Sequence, residues 1–161
     1  NPFHMDRLWG DLAILLARHH HENPVVFYNP NSWFFIVRSR TEHEFFSMLH
    51  DQNITMLVVC GSDAKLNKVT LEKAFANYRH KYVIRANPNY GNNTYLNIYD
   101  DFIIEAILDK DTSDEIDRFY AKYDEIDSVN IKELRDIVSN KGKNQLTIYR
   151  DKGKAENLRQ G

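Results

Sequence analysis

An α/β fold, or an α+β variant of it, with a mainly parallel central sheet flanked by helices is predicted by two features of this sequence. Apolar runs of strand length alternate with helical patterns between Trp33 and Arg85, in the order strand, helix, strand, helix, strand. The connections between these elements are short. This β-α-β-α-β order is typical of parallel strands joined by right-handed crossovers, and further helices follow toward the C-terminus.

The N-terminal half begins with a predicted helix, because apolar residues recur every three or four positions from Asp6 to His19. Pro24 ends this helix. Val25 to Tyr28 is a short apolar run, whereas the continuous run from Trp33 to Val37 predicts a strand buried on both faces. The remaining predicted core elements are a helix opened by the capping box Thr41–Glu44, a strand at Ile54–Cys60, a helix at Lys68–Arg79 and a strand at Lys81–Arg85.

The C-terminal half is organised around residues 93–108, which carry the clearest strand pattern. Tyr95 to Tyr99 is predicted as a strand, and Asp100-Asp101 separates it from a second apolar run, Phe102 to Leu108. An Asp-Asp pair without glycine is a weak hairpin signal, so a hairpin and one long bent strand both remain open. Two helices opened by the capping patterns Thr112–Glu115 and Asn130–Glu133, and a last strand at Gln145–Tyr149, complete the prediction.

A single domain at residues 5–150 accounts for these elements, since 161 residues are enough to bury one core. Residues 151–161 are charged and lack apolar anchors, so we expect a polar tail. Residues 1–4 precede Met5 and are interpreted as a remnant of cloning.

Charge and cysteine content argue against several classes of protein. The formal net charge is -2 and the pI is about 6.4, so no global positive field attracts nucleic acid or anionic lipid. The single cysteine, Cys60, cannot form an internal disulfide, which favours a cytoplasmic location. No apolar run approaches the roughly 18 residues that cross a bilayer, so we expect no membrane partner.

Motifs that mark common enzyme classes are missing from the sequence. There is no GxGxxG, no GxxxxGK[ST] and no GxSxG, which argues against a mononucleotide-binding enzyme or an α/β-hydrolase. The run His19, His20, His21 and Glu22 contains residue types that ligate zinc. Neighbouring helical residues point in different directions, however, so this run is only a weak metal candidate.

Two further groups are weak candidates for catalysis. Arg38 and His43 have a spacing that is found in some helical ribonucleases, although here they span the end of a predicted strand and the start of a helix. Asp51, Asp63 and Lys65 loosely follow the pattern of acids and a lysine that hold Mg²⁺ in nucleases. Both groups belong to an alternative reading of the chain as a nucleic-acid-processing enzyme.

A basic and aromatic stretch at residues 78–90 is the best candidate for contact with nucleic acid. Lysines and arginines bind phosphates, and tyrosines stack on bases. Strand alternation would place Tyr82 and Ile84 opposite Lys81, Val83 and Arg85, and so divide the group between core and surface. The candidate residues are Tyr78, Arg79, His80, Lys81, Arg85 and Tyr90.

The segment Asn93-x-Tyr95, followed after four residues by Asp100, resembles the H-x-K-x4-D motif of phospholipase D-like domains. In that motif the histidine is the nucleophile and the lysine binds phosphate. Asn93 and Tyr95 cannot perform these roles, so the resemblance implies a domain that has lost catalysis. It covers roughly Trp33 to Ile126. Similar inactive domains form the effector part of TrmB-like transcriptional regulators, where they bind ligands or mediate dimers.

These observations together predict a non-catalytic regulatory, ligand-sensing or partner-binding domain, similar to the effector part of a transcriptional regulator. The ligand-binding residues that the resemblance implies are Asn93, Tyr95 and Asp100. We expect a homodimer, a small-molecule or protein partner, and no cofactor. One alternative is a nuclease, which would use Asp51, Asp63 and Lys65 with Mg²⁺, or Arg38 and His43 without a metal. The other is a nucleic-acid-binding module centred on residues 78–90, although the net charge does not favour nucleic acid.

Overall fold

The computed structural model describes residues 1–17, 24–87 and 89–160. Its helices are α1 (Pro2–Ala17), α2 (Phe34–Val37), α3 (Ser39–Asp51), α4 (Lys65–Phe75), α5 (Lys110–Lys122), α6 (Ile131–Val138) and α7 (Lys152–Gln160), with a 3₁₀ turn at Ile126–Ser128. Its strands are β1 (Val25–Asn29), β2 (Met56–Cys60), β3 (Lys81–Ile84), β4 (Thr94–Tyr99), β5 (Phe102–Ile107) and β6 (Gln145–Arg150). The fold is α/β.

The six described strands form one open sheet in the order β3-β2-β1-β4-β5-β6. Strands β1, β2 and β3 are parallel, whereas β4, β5 and β6 each pair antiparallel with the preceding strand in the sheet. The prediction of a mainly parallel sheet is therefore wrong, because the sheet is mixed and mostly antiparallel. Only two residues separate β4 from β5, and so short a connection joins antiparallel strands.

The first strand of the sheet is not the one predicted from the sequence. Val25–Asn29 forms the central strand β1, while most of the run from Trp33 to Val37 is the short helix α2. Apolar runs of four or five residues have no periodicity that separates a buried strand from a buried helical turn. Pro30 follows β1 directly and cannot donate a ladder hydrogen bond, which favours a turn there.

Helices α1 to α6 contribute side chains to the main core on one face of the sheet. Among the described helices, only α7 packs on the opposite face, where Ala155 is fully buried. The Tyr28 hydroxyl donates a hydrogen bond to the Leu158 carbonyl of this helix. Residues 152–160 are thus a packed helix rather than the expected polar tail, because two apolar residues one turn apart are enough to anchor it.

The turn between β4 and β5 resolves the hairpin alternative left open by the sequence. Asp100 has a φ of 53°, in the left-handed region that aspartate tolerates better than most residues. The predicted Asn130 cap is present, and its side chain accepts a hydrogen bond from the Glu133 amide. Helix α5 is instead capped by Asp109, and α3 begins at Ser39 without a side-chain cap.

Candidate ligand-binding site

Helices α1 and α3 and the covered face of the sheet enclose a cavity of about 310 Å³, which we call the α1–α3 cavity. Most of its lining is apolar or aromatic, including Trp9 from α1, Phe45 and Met48 from α3, and Phe27 from β1. A dry cavity of about 150 Å³ holds one benzene ring, so this space has room for about two fused rings. Cavities with such a lining are common sites for small molecules.

Three residues in the wall of this cavity carry buried polar atoms that are without a hydrogen-bond partner. They are Asn29 (Nδ2), Trp33 (Nε1) and Tyr95 (Oη), and each residue is at most 4% exposed. Three other such atoms, in Thr70, Ser113 and Tyr120, complete the set in the described residues. Half of the unpaired buried atoms therefore belong to one cavity. Because an unpaired buried donor costs roughly 1–3 kcal/mol, this concentration calls for an explanation.

The Tyr95 hydroxyl is a buried group whose pKa is shifted in the cavity. Burial raises its pKa far above the ordinary tyrosine value, and weak hydrogen-bonding contacts with the Trp33 indole and the Asn31 backbone oppose this only in part. Neither contact has the geometry of a full hydrogen bond, so the Tyr95 hydroxyl and the Trp33 indole both keep capacity for a ligand. The phenol is consequently neutral throughout the physiological range and can donate one hydrogen bond to a ligand.

Three charged side chains line the cavity where α1 crosses the start of α3. Asp6 and Arg38 form an ion pair, and their side chains are 15% and 12% exposed. Burial raises the pKa of Asp6 to about 6, although Arg38 opposes this. Burial and the Asp6 charge raise the pKa of Glu42 to about 8, again opposed by Arg38. Glu42 is therefore largely protonated at neutral pH.

A second concavity lies at the carboxyl ends of the parallel strands, where open α/β sheets often bind ligands. This strand-end cleft measures about 410 Å³, and it is lined by Ser62, Arg85, Tyr90 and Asn92 among others. Burial raises the pKa of Tyr28, and the nearby Arg85 opposes this in part. The lining of this cleft is more polar than that of the α1–α3 cavity. Asn29 lines both.

A polar network behind the strand-end cleft is fully paired in its buried part. The Asn67 amide oxygen accepts hydrogen bonds from the Ser32 amide at 3.0 Å and the Ser32 hydroxyl at 2.7 Å. The Asn67 amide nitrogen donates to Asn31 at 2.8 Å. Asn31 in turn donates to Asp117 of α5 at 2.6 Å, and Asp117 accepts from Asn92. These bonds fix the turn that follows β1.

The residues of the phospholipase D-like motif do not share one cavity. Tyr95 lies in the wall of the α1–α3 cavity. Asn93 precedes β4 and donates a hydrogen bond to the Leu108 carbonyl at 3.2 Å. Asp100 lies in the hairpin turn at the other end of β4, about 16 Å from Tyr95 along the strand. Only Tyr95 is placed where a ligand in this cavity would reach it.

The basic and aromatic stretch is divided between core and surface. His80 is 5% exposed and bridges the Met56 amide and the Phe46 carbonyl, and burial lowers its pKa. Ile84 and Tyr82, whose ring contacts Phe75 of α4, lie on the helix-covered face, and Lys81 and Val83 lie on the other, as strand alternation predicted. The other members are separated further: Tyr78 hydrogen-bonds His43, Arg79 donates to the His50 carbonyl, and Arg85 and Tyr90 line the strand-end cleft.

The residues of the nuclease alternatives also lie apart. Arg38 is paired with Asp6 in the cavity, whereas His43 contacts Tyr78 at 2.6 Å on the exposed side of α3. Asp51 ends α3 before β2 begins, whereas Asp63 and Lys65 follow the opposite end of β2. Lys65 lies 3.9 Å from Asp124.

The metal candidate His19, His20, His21 and Glu22 lies outside the described residues. Within residues 1–17, 24–87 and 89–160, no group of three or more histidine, cysteine, aspartate or glutamate side chains is arranged to hold a metal ion. Cys60 is fully buried, and burial raises the pKa of its thiol to about 11.

Sequence reasoning missed most of the cavity's polar residues. In the sequence, Asp6 only marks the start of the first predicted helix, and Glu42 lies inside the predicted capping box Thr41–Glu44 without a role of its own. Asn29 and Trp33 carried one usable signal: Asn29 directly follows the apolar run Val25 to Tyr28, and Trp33 is the aromatic residue that begins the next run. What the sequence alone does not reveal is that α1 lies over α3.

Comparison of the chain with protein-family models, with curated proteins and with solved structures finds no match in any of the three. In the part of the chain that the structure describes, no helix has the length and apolar character needed to cross a membrane. The functional inference rests on the cavity and its residues.

Proposed function

We propose that this chain is a non-catalytic regulatory domain that senses a small molecule, and that the ligand binds in the α1–α3 cavity. The observation that carries the proposal is the set of unpaired polar atoms of Asn29, Trp33 and Tyr95 in the wall of one apolar cavity. A ligand with an apolar body and a hydrogen-bonding group would satisfy atoms that the fold leaves unpaired.

We further propose that this domain is the effector part of a transcriptional regulator. One feature supports it: Tyr95, a residue of the degenerate motif, lies in the cavity wall, although Asn93 and Asp100 lie outside the cavity. Asn93 and Tyr95 provide neither a nucleophile nor a phosphate-binding charge. Hydrolysis of bis(p-nitrophenyl) phosphate that disappears in Asp100→Ala would contradict the non-catalytic part. The homodimer stays a prediction, which light scattering of the purified chain would check.

Binding of 1-naphthylmethanol, measured by isothermal titration calorimetry, tests the site. This probe has two fused rings and one hydroxyl, which fit the volume and the unpaired atoms of the cavity. Ala106 is 2% exposed and lines the cavity from β5. Ala106→Leu should therefore fill the space and weaken binding at least about tenfold. Ala76→Leu, at an exposed position after α4, is the matched control and should bind like the parent chain.

A second variant, Ala13→Leu, fills the same cavity from α1 and covers the case in which Ala106→Leu does not fold. Loss of binding in either folded variant supports the proposal. The proposal fails when the parent chain does not bind the probe up to its solubility limit, or when both filled variants bind as tightly as the parent chain.

A further inference from the structure

Acidic side chains outnumber basic ones around the α1–α3 cavity. Four carboxyl groups line it, two from α1 (Asp6 and Asp11) and two from α3 (Glu42 and Glu44), against one guanidinium, Arg38. Arg38 is paired with Asp6, and the exposed Glu44 is paired with Arg40 at 3.2 Å. Glu42 makes no hydrogen bond or ion pair through its side chain within the described residues.

Glu42 is therefore a partly buried acid that lacks a counter-ion of its own. Asp6 competes with it for Arg38, since the Asp6 charge raises the pKa of Glu42 while Arg38 lowers it. A cation brought into the cavity would provide the counter-ion that the fold does not, and it would favour the ionised form of Glu42.

Glu42 and the unpaired polar atoms belong to different walls of the cavity. Glu42 lies on α3, one helical turn after Arg38, whereas Asn29 and Tyr95 lie on the adjacent strands β1 and β4. The cavity thus offers an acid from the helices, hydrogen-bonding groups from the sheet, and aromatic rings in its lining.

Aromatic rings also line the cavity. Trp9, Phe27 and Phe45 belong to the lining, and the rings of Phe27 and Phe45 are stacked with centroids 6.1 Å apart. The faces of such rings attract organic cations, and binding sites for ammonium groups often combine rings with a carboxylate.

We propose that the ligand of this cavity is an organic cation: an amine on an aromatic body of one or two rings, with its ammonium group beside Glu42 and Asp6. This inference rests on the proposed function, because it names the class of ligand for the same cavity. The rings lie among Phe27, Phe45 and Trp9, and an acceptor at the far end of the molecule pairs with Trp33 or Tyr95.

Three probes of nearly equal shape test the charge of the ligand: 1-naphthylmethylamine, 1-naphthylmethanol and 1-naphthoate, a cation, a neutral molecule and an anion. Calorimetry on the full chain should show the amine binding about tenfold more tightly than the alcohol, and the naphthoate weakest. Glu42→Gln should remove most of the preference for the amine without weakening the alcohol. Glu156→Gln, an exposed acid on α7, is the matched control and should keep the preference.

The preference should also depend on pH, because the ammonium group is stabilised by ionised Glu42. The pKa of Glu42 is about 8 and that of Asp6 about 6, so the advantage of the amine should increase between pH 6 and pH 8. The charged and titratable groups near Glu42 are Asp6 and Asp11 on α1, Arg38 and Glu44 at α3, and Tyr99 on β4. In Glu42→Gln the increase should be much smaller.

The outcomes separate this inference from the proposed function. If the alcohol or the naphthoate binds as tightly as the amine, the inference that the ligand is a cation is wrong, while the cavity remains a ligand site. If none of the three probes binds, both proposals fail. If the amine binds best but equally well to Glu42→Gln, the assignment of Glu42 is overturned.

Discussion

Two pairs of polar residues lie at the turn after β1, and they differ in their hydrogen bonding. Asn31 and Ser32 are buried and paired with Asn67 through a closed set of hydrogen bonds. Asn29 and Trp33, their neighbours in sequence, are equally buried but carry nitrogen atoms without partners. Burial alone therefore does not separate the two pairs.

This difference indicates that Asn31 and Ser32 stabilise the fold, whereas the polar atoms of Asn29 and Trp33 are available to a ligand. A closed network stabilises the turn, and removing one member leaves the others unsatisfied. Unpaired groups oppose folding, so they persist in a structure where another requirement maintains them.

The largest expected effect is that of Asn67→Ala, which breaks the closed network. Ser32 loses its acceptor and Asn31 loses its donor, so the free energy of unfolding should fall by about 2–4 kcal/mol. Urea denaturation measures this. Asn157→Ala, at an exposed position on α7, is the control and should change stability by less than about 0.5 kcal/mol. An equal, small effect of both substitutions would contradict a structural role for the network.

The next effect concerns Glu42, whose pKa is about 8 in the folded chain against an ordinary value of 4.5. The folded state holds the proton more tightly, so its contribution to stability is complete below pH 4.5 and is lost as pH rises through about 8. Asp6, with a pKa of about 6, acts in the same direction.

Glu42→Gln mimics the protonated acid and should remove most of this dependence. At pH 8 and above the variant should be more stable than the parent chain by roughly 1–2 kcal/mol, and the gap should close near pH 5. Thermal unfolding across this range measures it, with Glu156→Gln as the control. A variant that is less stable at high pH would show that Glu42 is held as a stabilising carboxylate.

A smaller effect separates two tyrosines that differ in their hydrogen bonds. The Tyr28 hydroxyl donates to the Leu158 carbonyl, whereas the Tyr95 hydroxyl makes no hydrogen bond of normal geometry. Tyr28→Phe should cost about 1 kcal/mol, and Tyr95→Phe should leave stability unchanged or slightly higher. Chemical denaturation compares the two. Equal losses would mean that the Tyr95 hydroxyl stabilises the fold.

The smallest effect is expected at Lys81, which is exposed on the edge strand β3. Lys81→Ala should change stability by less than about 0.5 kcal/mol. The same variant tests the nucleic-acid alternative in a filter-binding assay with duplex DNA and with RNA. Affinity of the parent chain that falls steeply with salt and weakens in Lys81→Ala would favour that alternative.

The sequence predicted local elements better than their arrangement. The strand at Ile54–Cys60 and the Asn130 cap were correct because apolar runs and capping residues act locally. The assignment of Trp33–Val37 as a strand was wrong because a short apolar run fits two kinds of buried segment. The antiparallel half of the sheet depends on which strands pair, and helix α7 depends on the burial of Ala155 and Leu158. Local sequence patterns encode neither of these.

The candidate site also depends on contacts between distant parts of the chain, which local sequence patterns do not predict. Tyr95 was reached through a motif resemblance, and it lies in the cavity wall. Asp6 and Glu42 are 36 positions apart in sequence, and only the packing of α1 over α3 brings them to one cavity. A list of polar residues from the sequence could not have joined them.

The indole N–H resonances give the most direct test of a ligand in the cavity. The chain has two tryptophans, Trp9 and Trp33, and both line the α1–α3 cavity. Addition of 1-naphthylmethanol should shift both ¹H–¹⁵N indole signals in a saturable manner. The Trp33 signal, assigned by its loss in Trp33→Phe, should move downfield as its unpaired N–H gains an acceptor. Saturable binding of the probe that leaves both indole signals unmoved would place the ligand elsewhere and contradict the proposed site.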